Sequence, residues 1–154
     1  MSNYSKNIIE PKIINGDIFF DNRGSITFVN DFRLDEFKRF YIIQHKKINT
    51  IRAWQAHKIE TKVFFSVQGD FLIQLIKIEN WVKPNKRSKT IKFKLSDNDT
   101  KILIVPGGYA NGFINTVENA KLLVFSSLSL KDSISDDYRY DKDYFISCNW
   151  GNYT

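Results

Sequence analysis

The amino-acid sequence predicts an all-β protein built as a small antiparallel β-barrel, and three observations point that way. Short runs rich in β-branched and aromatic residues recur, polar or glycine turns separate them, and no long stretch keeps a helical period. Thirteen Phe and seven Tyr in 154 residues, with 42% hydrophobic residues, supply the material for a core. A chain of this length buries roughly 68–70% of the surface its unfolded form exposes, so residues 1–154 are expected to form one domain.

Taken in order, strands are expected at 17–20 and 25–29, joined by the turn residues Asn22, Arg23 and Gly24. A short helical stretch is expected at 34–38, then a strand at 39–44 and an extended segment from Arg52. Strands at 62–67 and 71–78 flank the turn Gln68-Gly69-Asp70. At 90–95 the apolar Ile91, Phe93 and Leu95 alternate with Lys92 and Lys94, the pattern of a half-buried strand with a solvated lysine face. The polar turn 96–99 leads to a strand at 101–105, and Pro106-Gly107-Gly108 to another at 112–116. A last strand at 121–126 precedes a second helical stretch at 130–136.

The net charge of +6 is uneven. Lys83, Lys86, Arg87, Lys89, Lys92 and Lys94 cluster, whereas Asp132, Asp136, Asp137, Asp141 and Asp143 make the tail acidic. A solvated face explains the cluster best, a phosphate-bearing small molecule next. Nucleic acid comes last, because no recognition motif accompanies the charge. Cys148 is the only cysteine, which excludes an intrachain disulfide and favours a reducing compartment. Residues 1–11 lack a signal-peptide pattern, and no apolar run reaches the roughly 18 residues a membrane span needs. A cytoplasmic protein is expected, with the sequons at 98–100 and 152–154 as chance matches.

Two segments interrupt core-like strands with polar residues. The first runs Arg52-Ala-Trp-Gln55-Ala-His57-Lys-Ile-Glu60-Thr-Lys62. Strict alternation would put Arg52, Trp54 and Ala56 on one face and Gln55 and His57 on the other. The second, Val105-Pro-Gly-Gly-Tyr109-Ala-Asn111-Gly-Phe-Ile-Asn115, is a glycine-rich turn entering a strand. His45, beside Lys46 and Lys47, reads as a surface loop residue.

The pair of segments resembles the two motifs of the cupin superfamily, the jelly-roll barrels. Pro106, Gly108 and Asn115 fall on the second motif and Gly69 closes the first. Gln55 and Asn111 stand where metal-binding cupins carry histidines, and His57 with Glu60 is too small a ligand set, so no metal and no cofactor are expected. Asp21-Asn-Arg23-Gly24, 105–113 and the tail 136–140 with Trp150 resemble the dTDP-4-dehydrorhamnose 3,5-epimerases. Lys38-Arg-Phe-Tyr41 and 52–58 resemble the FdtA- and WxcM-like sugar 3,4-ketoisomerases.

The resemblance implies a metal-free isomerase or epimerase of a nucleotide-linked 4-keto-6-deoxyhexose, of dTDP type, in surface-polysaccharide synthesis. The epimerase base position holds Gln55 and its acid position Val124, neither of which exchanges protons, which favours ketoisomerisation. The ketoisomerase histidine and pocket tyrosine match His57 and Tyr41, the implied base and acid. Arg23 and Arg52 match substrate-binding positions, and a guanidinium suits a pyrophosphate. Gln55, Lys62, Tyr109 and Asn111 complete the expected substrate site, with Lys62 or Asn111 available to a developing enolate. A homodimer is implied, with the strands between Ile18 and Phe28 at its interface; neither nucleic acid nor membrane is an expected partner. A non-catalytic cupin that binds a sugar nucleotide or carbohydrate is the alternative.

Overall fold

A computed structural model describes residues 7–151, which form β1 (Lys12–Asn15), β2 (Asp17–Asp21), β3 (Gly24–Phe28), β4 (Arg39–His45), β5 (Ile51–His57), β6 (Lys62–Gln68), β7 (Asp70–Lys77), β8 (Thr90–Ser96), β9 (Lys101–Val105), β10 (Tyr109–Asn115), β11 (Ala120–Ser126), α1 (Leu130–Ile134) and β12 (Tyr138–Arg139). Residues 1–6, part of the stretch read for a signal peptide, and the sequon at 152–154 lie outside the described residues.

The strands form two antiparallel five-stranded sheets, in the orders β1-β9-β6-β11-β4 and β12-β5-β10-β7-β8, and among the described residues β2 pairs only with β3. This all-β arrangement is typical of the cupin superfamily, but it corrects the expected barrel. Each sheet ends in free edges, β1 and β4 on one and β12 and β8 on the other, and among the described residues no ladder joins them. Side chains rather than backbone hydrogen bonds bridge the gap. Phe64, Leu103, Leu122 and Val124 from the first sheet meet Phe71, Ile73, Leu75, Leu95 and Phe113 from the second in one buried cluster.

Alternation decides which side chains enter that cluster. On β4, Phe40 and Ile42 are exposed, whereas Tyr41 and Ile43 pack against the core. On β8 the expected pattern holds, with Leu95 buried, Ile91 and Phe93 packed inward and the two lysines exposed. The outer face of the second sheet is also apolar, and the tail covers it: Trp54, Ala56, Ile76 and Ala110 pack with Tyr140, Tyr144, Phe145 and Trp150.

Two local expectations fail for physical reasons. Residues 34–38 form a turn instead of a helix. Phe32 and Phe37 pack on Phe125 at 5.8 and 6.2 Å instead, and Arg33 precedes the segment where the equally short α1 has the capping side chain of Ser129. His45 is not at the surface: it ends β4 on the inward face with 1% of its area exposed.

Candidate functional site

A cavity of about 650 Å³ opens between the sheets where β4 of one approaches β5 and β12 of the other. Its polar wall comprises Arg39 and Tyr41 from β4, Arg52 and Gln55 from β5, Lys62 from β6, Asn111 from β10, and Ser133, Asp137, Arg139 and Tyr140 from the segment after β11. Leu130 and Ile134, one helical turn apart on α1, add an apolar lip and are 63% and 70% exposed.

A shift of register brings Arg52 to this wall. Asn111 pairs with Gln55, but Phe113 pairs with Arg52, so β5 carries one extra residue between those pairs. Such a bulge breaks strict alternation. Arg52 therefore shares the inward face with Gln55, and the expectation that it would share a face with Trp54 is overturned. Trp54 is 2% exposed and lies in the outer cluster under the tail.

Lys62 stands at the centre of the wall with 4% of its area exposed. Its Nζ donates to Gln55 Oε1 at 2.7 Å, and Gln55 Nε2 donates to Asp137 Oδ1 at 3.0 Å. Burial lowers its pKa to about 8, a shift that the nearby Glu60 only partly opposes. Tyr41 moves the other way: burial, then the Glu60 charge, raises its pKa to about 12, so it remains a hydrogen-bond donor. Asn111 is fixed by donation from Nδ2 to the Gln55 carbonyl at 2.9 Å.

Behind this wall lies a buried charged group. Glu60 accepts from Ser126 Oγ, from Ser133 Oγ at 3.1 Å and from His57 Nδ1 at 2.9 Å, and Arg39 approaches to 3.5 Å. Burial works against its charge, but the bonds from His57 and Ser126 outweigh it and hold its pKa down to about 2. His57 Nδ1 also lies 2.6 Å from the Asp136 carbonyl. With two oxygen acceptors at Nδ1, the ring carries a proton there, and Nε2 is buried without a partner among the described residues. Asp136 anchors the turn between β5 and β6 by accepting the backbone N–H groups of Lys58, Ile59 and Glu60 at 2.8–2.9 Å.

Of the residues expected from sequence, Tyr41, Arg52, Gln55, Lys62 and Asn111 therefore meet at one cavity. His57 does not line it; it is 3% exposed and sits one inward position beyond Gln55. Tyr109 belongs to the core at 5% exposure. Arg23 is elsewhere, on the β2–β3 hairpin, with its guanidinium paired to Asp21 at 2.6 Å. Sequence reasoning missed Arg39, Asp137 and Arg139. Arg39 was within reach, since it lies two residues from Tyr41 on an alternating strand.

The donor set does not fit a metal ion. Gln55 Oε1 already faces the Lys62 ammonium, and among the described residues no group of three or more His, Cys, Asp or Glu side chains converges. The same residues fit an anionic, oxygen-rich ligand: three guanidinium groups and an amine outnumber the one carboxylate, Asp137, and share the wall with uncharged hydrogen-bonding groups.

Fold and cavity together define a double-sheet cupin-class protein with a cationic pocket between its sheets. The family model described as FdtA: WxcM-like, C-terminal matches residues 9–150, and the chain belongs to that family. Comparison with curated protein sequences gives no match. Among solved structures, the chain is similar to a 3,4-ketoisomerase from Helicobacter canadensis, with 24% identity over 90% of this chain and 97% of that one and a TM-score of 0.67. It is also similar to a mutant of QdtA, a 3,4-ketoisomerase from Thermoanaerobacterium thermosaccharolyticum in complex with TDP-4-keto-6-deoxyglucose (20% identity, 90% and 94% covered, TM-score 0.68). A dTDP sugar isomerase from Desulfovibrio desulfuricans G20 superposes with a TM-score of 0.74 at 15% identity, over 93% and 92% of the two chains.

Proposed function

We propose that this protein isomerises a dTDP-linked 4-keto-6-deoxyhexose by moving a proton next to the ketone, in the synthesis of a surface polysaccharide. The observation that carries the reading is Lys62: a buried amine with its pKa lowered to about 8, on the wall of a cavity that also holds Tyr41 and three arginines. Removing the C3 proton moves its electron pair toward the C4 carbonyl, and the resulting enolate oxygen needs a donor. Lys62 Nζ and the Tyr41 hydroxyl supply it. Proton transfer to the C4 oxygen, loss of the 3-hydroxyl proton and protonation at C4 then complete a 3,4-ketoisomerisation with no net change in atoms or electrons. Arg39, Arg52 and Arg139 bind the pyrophosphate, and Gln55 and Asn111 bind the sugar.

His57 takes the C3 proton in this scheme, and the support is the orientation of its ring: Nδ1 is anchored by Glu60 and Asp136, leaving an unpartnered basic Nε2. A second reading makes the neutral Lys62 amine the base, favoured because Lys62 lines the cavity and His57 does not. The assembly that fits the hairpin is a homodimer. Among the described residues β2 and β3 pair with no other strand, yet they expose Phe19, Phe20 and Ile26 at 55%, 70% and 59%. An isolated hairpin with that much apolar surface gains stability by lying on a second copy, where Arg23 would reach a neighbouring cavity.

Proton NMR of dTDP-4-keto-6-deoxyglucose in D₂O with the protein tests the reaction. The expected result is a 3-keto product with deuterium at C4, and deuterium at C3 of the 4-keto substrate returned by the reverse reaction. Deuterium at C3 and C5 with retention of the 4-ketone assigns 3,5-epimerisation instead, and binding without exchange assigns a non-catalytic role. Full exchange by a His57→Asn variant would transfer the base to Lys62.

A further inference from the structure

His45 is the second histidine of the chain, and nothing in the proposed chemistry uses it. It is buried at the end of β4, stacked on Phe113 with ring centroids 5.6 Å apart and against Phe71 at 5.8 Å. Its two nitrogens have distinct partners. Arg52 Nε–H donates to His45 Nε2 at 3.1 Å, and His45 Nδ1 lies 2.8 Å from Asn115 Oδ1.

These contacts fix the tautomer. A guanidinium only donates, so Nε2 is the acceptor and Nδ1 carries the proton. The Asn115 amide is equally determined, because its Nδ2 donates to the carbonyls of Lys47 and Val117 at 2.8 and 2.7 Å. Its Oδ1 also accepts from Thr50 N at 3.0 Å and is therefore oriented toward His45. The chain of bonds runs from a rigid amide through a neutral imidazole to one arginine of the cavity wall.

We propose that His45 is a positioning residue, whose Nε2 lone pair holds the Arg52 guanidinium in its phosphate-binding orientation and releases it when the ring is protonated. The proposal deepens the reading above and rests on Arg52 as a phosphate ligand. A proton on Nε2 would face Arg52 Nε–H donor to donor, so acid converts the contact from attraction to repulsion. Among the described residues, Arg52 is the charged group recorded against the ring. Asn115, Phe113, Phe71 and Ala120 face it uncharged from the neighbouring strands, and Lys46 and Lys47 follow it as exposed residues. Burial first, and the Arg52 charge with it, push the pKa of His45 below its ordinary 6.5, while the Asn115 bond partly opposes them.

Two substitutions separate positioning from packing. In His45→Gln, Oε1 can occupy the place of Nε2 and accept from Arg52, but the side chain does not titrate. In His45→Asn, the amide can keep the bond to Asn115 but ends short of Arg52. Calorimetry with dTDP between pH 8 and 5 should show the wild type losing roughly tenfold more affinity than His45→Gln on acidification; titration of the nucleotide's own phosphate is common to both. His45→Asn should bind roughly tenfold more weakly at pH 8, with KM raised and kcat little changed. The ¹⁵N-resolved Arg52 Nε–H resonance gives a readout independent of any ligand. It should persist in His45→Gln, be lost in His45→Asn, and follow the His45 titration in the wild type. Coincident pH profiles for wild type and His45→Gln, or an Arg52 resonance unchanged in His45→Asn, overturns the proposal. Absence of dTDP binding in every form, with the resonance behaving as expected, overturns the phosphate role of Arg52 and leaves the positioning intact. Should His45→Asn fail to fold, the wild-type and His45→Gln resonances still decide.

Discussion

Lys62 illustrates how one side chain can be cheap to read and hard to interpret. The sequence offers Lys62 only as one candidate donor to a developing enolate, and its chemistry comes from burial that only the facing sheet creates. Lys62→Met, close in volume, should lower C3 proton exchange by about 10²–10⁴-fold with an unchanged far-UV spectrum. The sign of its pH effect follows from a folded pKa near 8 against an ordinary 10.5. The unfolded chain binds more protons between those values, so Lys62 costs stability below pH 8, and that cost is relieved as pH rises to 10.5.

Glu60 acts at the opposite end of the scale. Its folded pKa of about 2 against an ordinary 4.5 contributes stability that is present above pH 4.5 and lost as pH falls toward 2. Urea titrations at stepped pH should show that acid limb, flattened in Glu60→Gln. The sequence also misled at single residues. His45 beside two lysines resembles a surface loop, yet the alternation of β4 sends it inward, and Arg39 escaped notice although the same alternation pairs it with Tyr41.

At the scale of elements, the strands were legible because period-2 patterning and turn residues agree, and the departures are where a neighbour overrides the local pattern. Arg52 enters the cavity only because β5 carries a bulge opposite Gly112, which no periodicity announces. The glycine is required there: an added Cβ would lie 2.7 Å from Ala53 Cβ and 2.9 Å from Trp150 Cη2. Gly112→Ala should therefore cost about 1–3 kcal/mol in chemical denaturation and loosen the tail, visible as increased Trp accessibility to quenchers. Asp136 has a comparable role in the turn between β5 and β6. Removing its carboxylate leaves three backbone N–H groups without their acceptor. Asp136→Ala should cost about 3 kcal/mol, measured by the shift in urea midpoint.

For the whole molecule, composition and strand spacing disclosed an all-β fold but predicted a closed barrel, where the two sheets in fact stay unjoined. Barrel and open sandwich share the same inward and outward alternation; they differ in whether edge strands find each other, a long-range fact that side chains around the cavity decide. The edges and the solitary hairpin bear on assembly. If the proposed homodimer forms through this hairpin, Phe20→Asp should shift it to monomer in analytical ultracentrifugation and reduce phosphate affinity through the displaced Arg23. A variant that stays dimeric with unchanged affinity would remove the hairpin from the interface.

The aromatic tail that roofs the second sheet also dictates a sequence of events during synthesis. Trp54 donates its indole N–H to the Lys142 carbonyl, and Gln74 donates to the carbonyl of Asn149, so strands made early are completed by residues made much later. A ribosome-bound chain that has emitted β5, β7 and even β10 still shows water an apolar face built for residues 138–150. Nascent chains stalled before this segment should bind chaperones and resist native compaction, and release of the tail should trigger both to reverse.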